Sequence, residues 1–175
     1  YVIGGTFRSH YFAIITKTGQ DKPIKRIYPD GANAHYNLGD AYFDSGKYEE
    51  AIESFKQTIK LDPDLAVAHT FLGVAYHKLG KHKKAIESYK QAIKINPDYA
   101  EAHVNLGLAY HKLGKHEEEI ESFKQAIRIN PNYAYAHSNL GVAYGDLGKH
   151  EEAIESFKQA IRINPDYAEA HVNLG

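Results

Sequence analysis

Between residues 32 and 175, apolar and small side chains recur at helical spacing, in runs closed by glycine or by Asn-Pro and Asp-Pro pairs. From Ala100 onward they fall at Ala102, Leu106, Ala109, Tyr110 and Leu113, and then at Ile120, Phe123, Ala126, Ile127 and Ile129. Steps of three and four residues place each set on one side of a helix. Gly114 stands where the first helix should stop, because glycine adopts the left-handed backbone that closes a helix. Asn130-Pro131 should stop the second, since proline disfavours helix in the residue before it. Asn132, and Asp64, Asp98 and Asp166 at the same place elsewhere, are expected to cap the next first helix with their side chains.

This helix–turn–helix unit repeats. LGKHEEAIESFKQAIRINPDYAEAHVNLG (147–175) closely repeats LGKHEEEIESFKQAIRINPNYAYAHSNLG (113–141), 34 residues earlier. The units run 32–65, 66–99, 100–133 and 134–167, with a partial fifth at 168–175. One helix pair cannot bury its apolar side alone, so stacked neighbours must supply the core, and about three units suffice. The predicted fold is all-α, a right-handed solenoid of antiparallel helix pairs. Gly39, Gly73, Gly107 and Gly141 are expected where two helices approach closely, with Ala51, Ala85 and Ala153 facing them. Glu119 takes the place of those alanines in the third unit, where a carboxylate between packed helices is expected to cost stability. A start at Tyr1 and an uncapped end at Gly175 suggest a piece of a longer array.

The residues at fixed places in the unit carry a family resemblance. The first unit reads His35-x2-Leu38-Gly39-x2-Tyr42, then Ala51-x3-Phe55, then Pro63. The second gives Leu72, Gly73, Tyr76, Ala85, Tyr89 and Pro97, and the fourth Leu140, Gly141, Tyr144, Ala153, Phe157 and Pro165. This resembles the tetratricopeptide repeat, whose period is 34 residues. The likeness covers 32–175 and departs from the pattern in one respect: His35, His69, His103, His137 and His171 stand where tryptophan is common. The resemblance implies an inner groove lined by first helices, holding a protein or peptide partner. The run His-x-Asn-Leu-Gly is also similar to repeats in the arm of O-linked N-acetylglucosamine transferase, where an asparagine ladder holds substrate backbones. That likeness implies a second reading, a substrate-recruiting or regulatory arm of a larger enzyme such as a glycosyltransferase.

The differences between units point to the same groove. The third and fourth differ at seven of 34 places, and five of these lie on the first helix: Glu101/Tyr135, Val104/Ser138, Leu108/Val142, His111/Gly145 and Lys112/Asp146. Their spacing traces one helical face. The second helices, which expose a face of their own, are nearly identical, so free drift of solvent-facing positions does not account for the pattern. The groove is expected to have a middle row of Val74, Leu108 and Val142, with Phe71 and Val104 beside it. An asparagine series, Asn37, Asn105, Asn139 and Asn173, runs alongside, and its amides could bond a peptide backbone. His111, Lys112, Tyr135 and Asp146 complete the expected site. The family's clamp for a C-terminal carboxylate needs lysines; the matching places hold Tyr36, Asp40, Phe71, Glu101 and Asn105, which argues against capture of an acidic tail.

Composition narrows the function classes. A net charge of −1 leaves no basic footprint for nucleic acid, and no apolar run approaches the roughly 18 residues of a membrane span. The absence of cysteine excludes disulfides, thiolate metal sites and a cysteine nucleophile within the chain. No catalytic constellation stands out, and no cofactor is expected. The 11 histidines invite a metal reading. However, His69, His103 and His137 recur once per unit, and no His-x3-His pair occurs, so no metal site is expected. Residues 1–31 lie outside the repeat and carry a net +3 from Arg8, Lys17, Lys22, Lys25 and Arg26 against Asp21 and Asp30. HYFAIIT, TGQDKP and IKRIY within them read as a β-hairpin at the end of an upstream domain.

Overall fold

The computed structural model describes residues 31–165. The hairpin expected near the N-terminus and the partial fifth unit lie outside these residues. Within them the chain forms eight α-helices and no strand: α1 Ala32–Asp44, α2 Tyr48–Leu61, α3 Ala66–Lys78, α4 His82–Ile95, α5 Ala100–His111, α6 His116–Ile129, α7 Ala134–Asp146 and α8 His150–Ile163. Each helix packs on the next in sequence, and α3 also touches α5, so the first helices of the second and third units lie side by side.

The turn inside each unit closes in the way its glycine dictates. Gly46, Gly80, Gly114 and Gly148 all sit in the left-handed region, with φ between 66° and 74°. The Gly114 N–H donates to His111 O at 2.9 Å, and the Lys115 N–H reaches back to Tyr110 O at 3.1 Å. These bonds occupy carbonyls that the helix end would leave bare. The turns between units differ from the expectation. Leu65, Tyr99 and Tyr133 occupy the cap positions, and no side chain caps the helices that follow. The Asp and Asn residues lie one place too early. Instead the Nε2–H groups of His69, His103 and His137 donate to the carbonyls of Pro63, Pro97 and Pro131 at 3.0–3.1 Å. The histidine that replaces the family tryptophan thus ties the first helices of the second, third and fourth units to the end of the unit before. Burial holds His103 below the usual histidine range, partly offset by its bond to Pro97.

Within a unit the two helices close onto a glycine–ring contact. A Cβ built on Gly39, Gly73, Gly107 or Gly141 would lie 2.5–2.7 Å from a ring carbon of Phe55, Tyr89, Phe123 or Phe157 respectively. The aromatic residue therefore faces the glycine, at the place where the repeat pattern suggests alanine. Ser54, Ser88, Ser122 and Ser156 are buried beside these rings and satisfy themselves by donating to the carbonyl four residues earlier at 2.7–3.0 Å. A small polar group that bonds its own helix can be buried at low cost.

Between units, side chains from two repeats make one core. Val104 and Ala100 from α5 join Phe123 and Ala126 from α6, Tyr133 at the end of that unit, and Ala136 and Leu140 from the next. Val74, Tyr89, Leu106 and Tyr110 do the same one unit earlier. Lysines flank the seam: Lys90 and Lys115 lie over the ring of Tyr110, and Lys124 and Lys149 over Tyr144, at 5.7–5.9 Å. Each such contact contributes about 0.5–1 kcal/mol at exposed sites.

Candidate functional site

The stacking that builds the core also decides which of the expected groove residues can meet a partner. Val104 is fully covered, and Phe71, Val74 and Asn105 are 4–5 % exposed. Phe71 belongs to an aromatic cluster with Tyr36 and Phe55, at centroid distances of 5.5 and 5.7 Å. Val104, Val74 and Phe71 pack into the cores shared between units, and none of the four side chains presents a surface. Part of the face that varies between repeats is therefore a stacking seam, where Val104 and its counterpart Ser138 are both buried.

The remaining positions reach the surface. Asn37, Lys112 and Asp146 are exposed, Val142 is 36 % exposed, and Leu108, His111, Tyr135 and Asn139 are half-buried. Leu108 and Tyr135 lie against the same interunit core, one from α5 and one from α7. The asparagines do not form a free ladder: Asn105 is covered, and the Asn139 amide donates to Tyr135 O within its own helix at 2.7 Å. Asn173 lies outside the described residues.

A cluster that histidine spacing along single helices passes over sits at the turn of the third unit. His111 ends α5, His116 begins α6, and Glu119 follows one turn later. The Nδ1 of His111 lies 3.0 Å from one carboxylate oxygen of Glu119, and the Nδ1 of His116 lies 3.2 Å from the other. Asp146, from α7 of the next unit, brings an oxygen to 3.6 Å from the His111 Nδ1. The signal is present in the sequence as HKLGKH, which occurs at 77–82 and 111–116, combined with a glutamate where the other units have alanine. A spacing of five residues across a tight turn brings two imidazoles together as effectively as one turn of helix.

Glu119 lies in the helix interface, 2 % exposed, at the place of Ala51, Ala85 and Ala153. The carboxylate is not alone there, since two imidazoles face it. Burial nevertheless raises its pKa above the ordinary carboxylate value, with the charges and hydrogen bonds of the two histidines acting the other way. The ionised form is thus less comfortable in the fold than in water. The other three units hold alanine at this place, so the smaller side chain fits the interface, and removal of Glu119 relieves the burial of a carboxylate. Glu119→Ala should therefore stabilise the metal-free protein by about 1 kcal/mol at pH 7, as the two rings close into the arrangement of the second unit. Chemical denaturation checks this, and a loss of stability would mean that the histidine bonds outweigh the burial.

Repeated helix pairs on a 34-residue period, with an open face of first-helix side chains, define a helical-repeat scaffold. The chain belongs to the tetratricopeptide repeat family: models described as TPR repeat match residues 39–80, 73–114 and 110–148, and the tetratricopeptide repeat model matches 134–167. Among solved structures it is similar to that of MamA, at 34 % identity, covering 81 % of this chain and 82 % of that one with a TM-score of 0.74. It is also similar to YrrB, described as a TPR protein with an unusual peptide-binding site, at 28 % identity, covering 82 % and 75 % with a TM-score of 0.72. A third likeness is to the first TPR of Spaghetti (RPAP3) bound to the HSP90 peptide SRMEEVD, at 29 % identity, covering 70 % and 98 % with a TM-score of 0.66. No curated protein sequence matches the chain.

Proposed function

We propose that the chain is a non-catalytic interaction module that holds a peptide segment along its first helices, across α5 and α7. The observation that carries this reading is the surface left after stacking: Leu108 and Val142 in one row, with Tyr135 and Asn139 beside them. Apolar side chains next to an aromatic ring and an amide suit an extended segment with small apolar residues. Peptide binding in YrrB and RPAP3 supports the same class of partner. The peptide SRMEEVD bound by RPAP3, with its three acidic residues, is not the expected ligand, because Lys112 is balanced by Asp146 and the places matching the clamp hold Phe71, Glu101 and Asn105.

A peptide array followed by titration of the best binders tests the reading. The double change Leu108→Glu and Val142→Glu should weaken binding at least tenfold, since a charge replaces each apolar contact, while the exposed position of Val142 and the half-exposed one of Leu108 keep the fold intact. The peptide SRMEEVD should bind poorly to either form. Undiminished peptide binding by the double variant, with an unchanged melt, would remove α5 and α7 as the docking face.

A further inference from the structure

We propose that His111, His116 and Glu119 form a three-residue binding site for a divalent transition-metal ion of the zinc class, leaving the fourth position to water. The three ligand atoms lie within 4.8 Å of one another. Tetrahedral zinc with bonds of about 2.0–2.1 Å needs ligand atoms roughly 3.4 Å apart. The observed separations are 3.0 Å from His111 to Glu119 and 3.2 Å from His116 to Glu119. Held to one ion, the two nitrogens and the carboxylate would have to draw together from within 4.8 Å to about 3.4 Å, which rotation of the two part-exposed rings supplies.

The other units show what this corner looks like when it serves packing alone. In the first, Phe43 and Tyr48 occupy the two ring places and touch at a centroid distance of 5.2 Å. In the second, His77 and His82 close to 4.8 Å, beside Ala85. In the fourth, Gly145 and Ala153 leave His150 without a partner ring. Only in the third unit are the rings spread, to 6.5 Å, with both Nδ1 atoms turned on one buried carboxylate. Packing does not require this arrangement, because the second unit packs the same two histidines more closely without it. Two imidazole nitrogens and a carboxylate in one cluster are a donor set that suits zinc, cobalt and nickel. Magnesium and calcium prefer oxygen alone.

Binding requires the Nδ1 lone pairs, so each imidazole carries its proton on Nε2 when the ion is held. The rings of His111 and His116 are about a third exposed, so the ion has an entry path from solvent. Glu119, 2 % exposed, supplies the negative charge from within. An ion so placed joins α5 and α6 across the turn at Gly114. The metal proposal does not depend on the peptide reading, and its test uses no peptide.

The test is titration of the full chain, stripped with chelator, by zinc chloride, read by calorimetry and thermal melting, with cobalt(II) as a spectroscopic probe. Wild-type protein should take one equivalent with a dissociation constant of micromolar or below, melt higher in zinc, and give the intense visible absorption of four-coordinate cobalt. Magnesium should do none of these. Glu119→Ala, which reproduces the second unit, should bind at least tenfold more weakly and lose the cobalt bands. The pair His77→Phe with His82→Tyr, which reproduces the first unit, should leave both intact. Zinc binding that is equally strong in Glu119→Ala, or the absence of a saturable site in the wild type, overturns the proposal.

Discussion

Replacing Gly107 with alanine should destabilise the array by about 2 kcal/mol, although alanine is the better helix former. The added Cβ would lie 2.6 Å from Cε1 of Phe123 and 2.9 Å from both Cδ1 and Cζ. Phe123 is 1 % exposed and lies in the core shared by the third and fourth units, so its ring cannot swing clear. Overpacking of this kind costs roughly 1–3 kcal/mol, and at three contacts this short the upper end applies. The gain in helix propensity from glycine to alanine is about 1 kcal/mol and opposes it. The clash wins because it falls where two helices are held together from both sides. A second change isolates the cause. Phe123→Leu alone should cost stability through lost volume, yet in the Gly107→Ala background it should restore part of the loss, since the smaller side chain makes room for the methyl group. The coupling, measured by chemical denaturation of the four forms, is expected to favour the double variant by about 1 kcal/mol. A neutral Gly107→Ala would show that α5 and α6 part easily. The tight glycine–ring contact would then not define the pair.

That the ring, rather than alanine, meets the glycine could not be read from the repeat itself. The 34-residue period and its turn residues specify the eight described helices and their order, since the apolar spacing marks each helix and a glycine or proline stops it. What they leave open is the rotation of one helix against another, which decides whether the row of Glu119 and its alanine counterparts or the row of Phe123 meets Gly107. The same ambiguity affects the groove. Val104, Asn105, Phe71 and Val74 lie on the first-helix face expected to meet a partner, and a face pressed against the next unit has the same periodicity as one turned to solvent. Burial separates them: Val104 is covered, while Val142, on the same row as Leu108, is 36 % exposed. Polar identity misleads in the same way, because Asn139 bonds its own helix and the capping role expected of Asp64 and Asp98 passes to no side chain. The His111–His116–Glu119 corner is hidden from single-helix spacing because its members belong to two helices and meet only through the turn at Gly114.

The second unit should make the stability of the whole array depend on pH through His77. The Nδ1 atoms of His77 and His82 are buried without a hydrogen-bond partner, and the rings meet at 4.8 Å. Burial, and then the charges of His82, Lys112 and Lys78, push the pKa of His77 down to about 4. In the unfolded chain the value is near 6.5. Between these values the unfolded state holds a proton that the folded state does not, so stability rises with pH across that window. Above pH 6.5 both states are neutral at this site and the full contribution is present. It is lost as pH falls toward 4. From pH 7 to pH 5 the full shift would correspond to about 2 kcal/mol, but the ring is only half-buried and solvent screens part of it, so about 1 kcal/mol is expected from His77 alone. His103, also held low by burial, adds to the same trend. Glu119, held high, acts in the opposite direction within the carboxylate range. The comparison that isolates His77 is therefore between the wild type and His77→Phe, which places beside His82 the ring that the first unit uses beside Tyr48. Denaturation of both forms at pH 7 and pH 5 should show the wild type losing about 1 kcal/mol more than the variant. Equal losses would mean that His77 takes up its proton in the folded state as readily as in water, with its ring turned outward and Nδ1 hydrated.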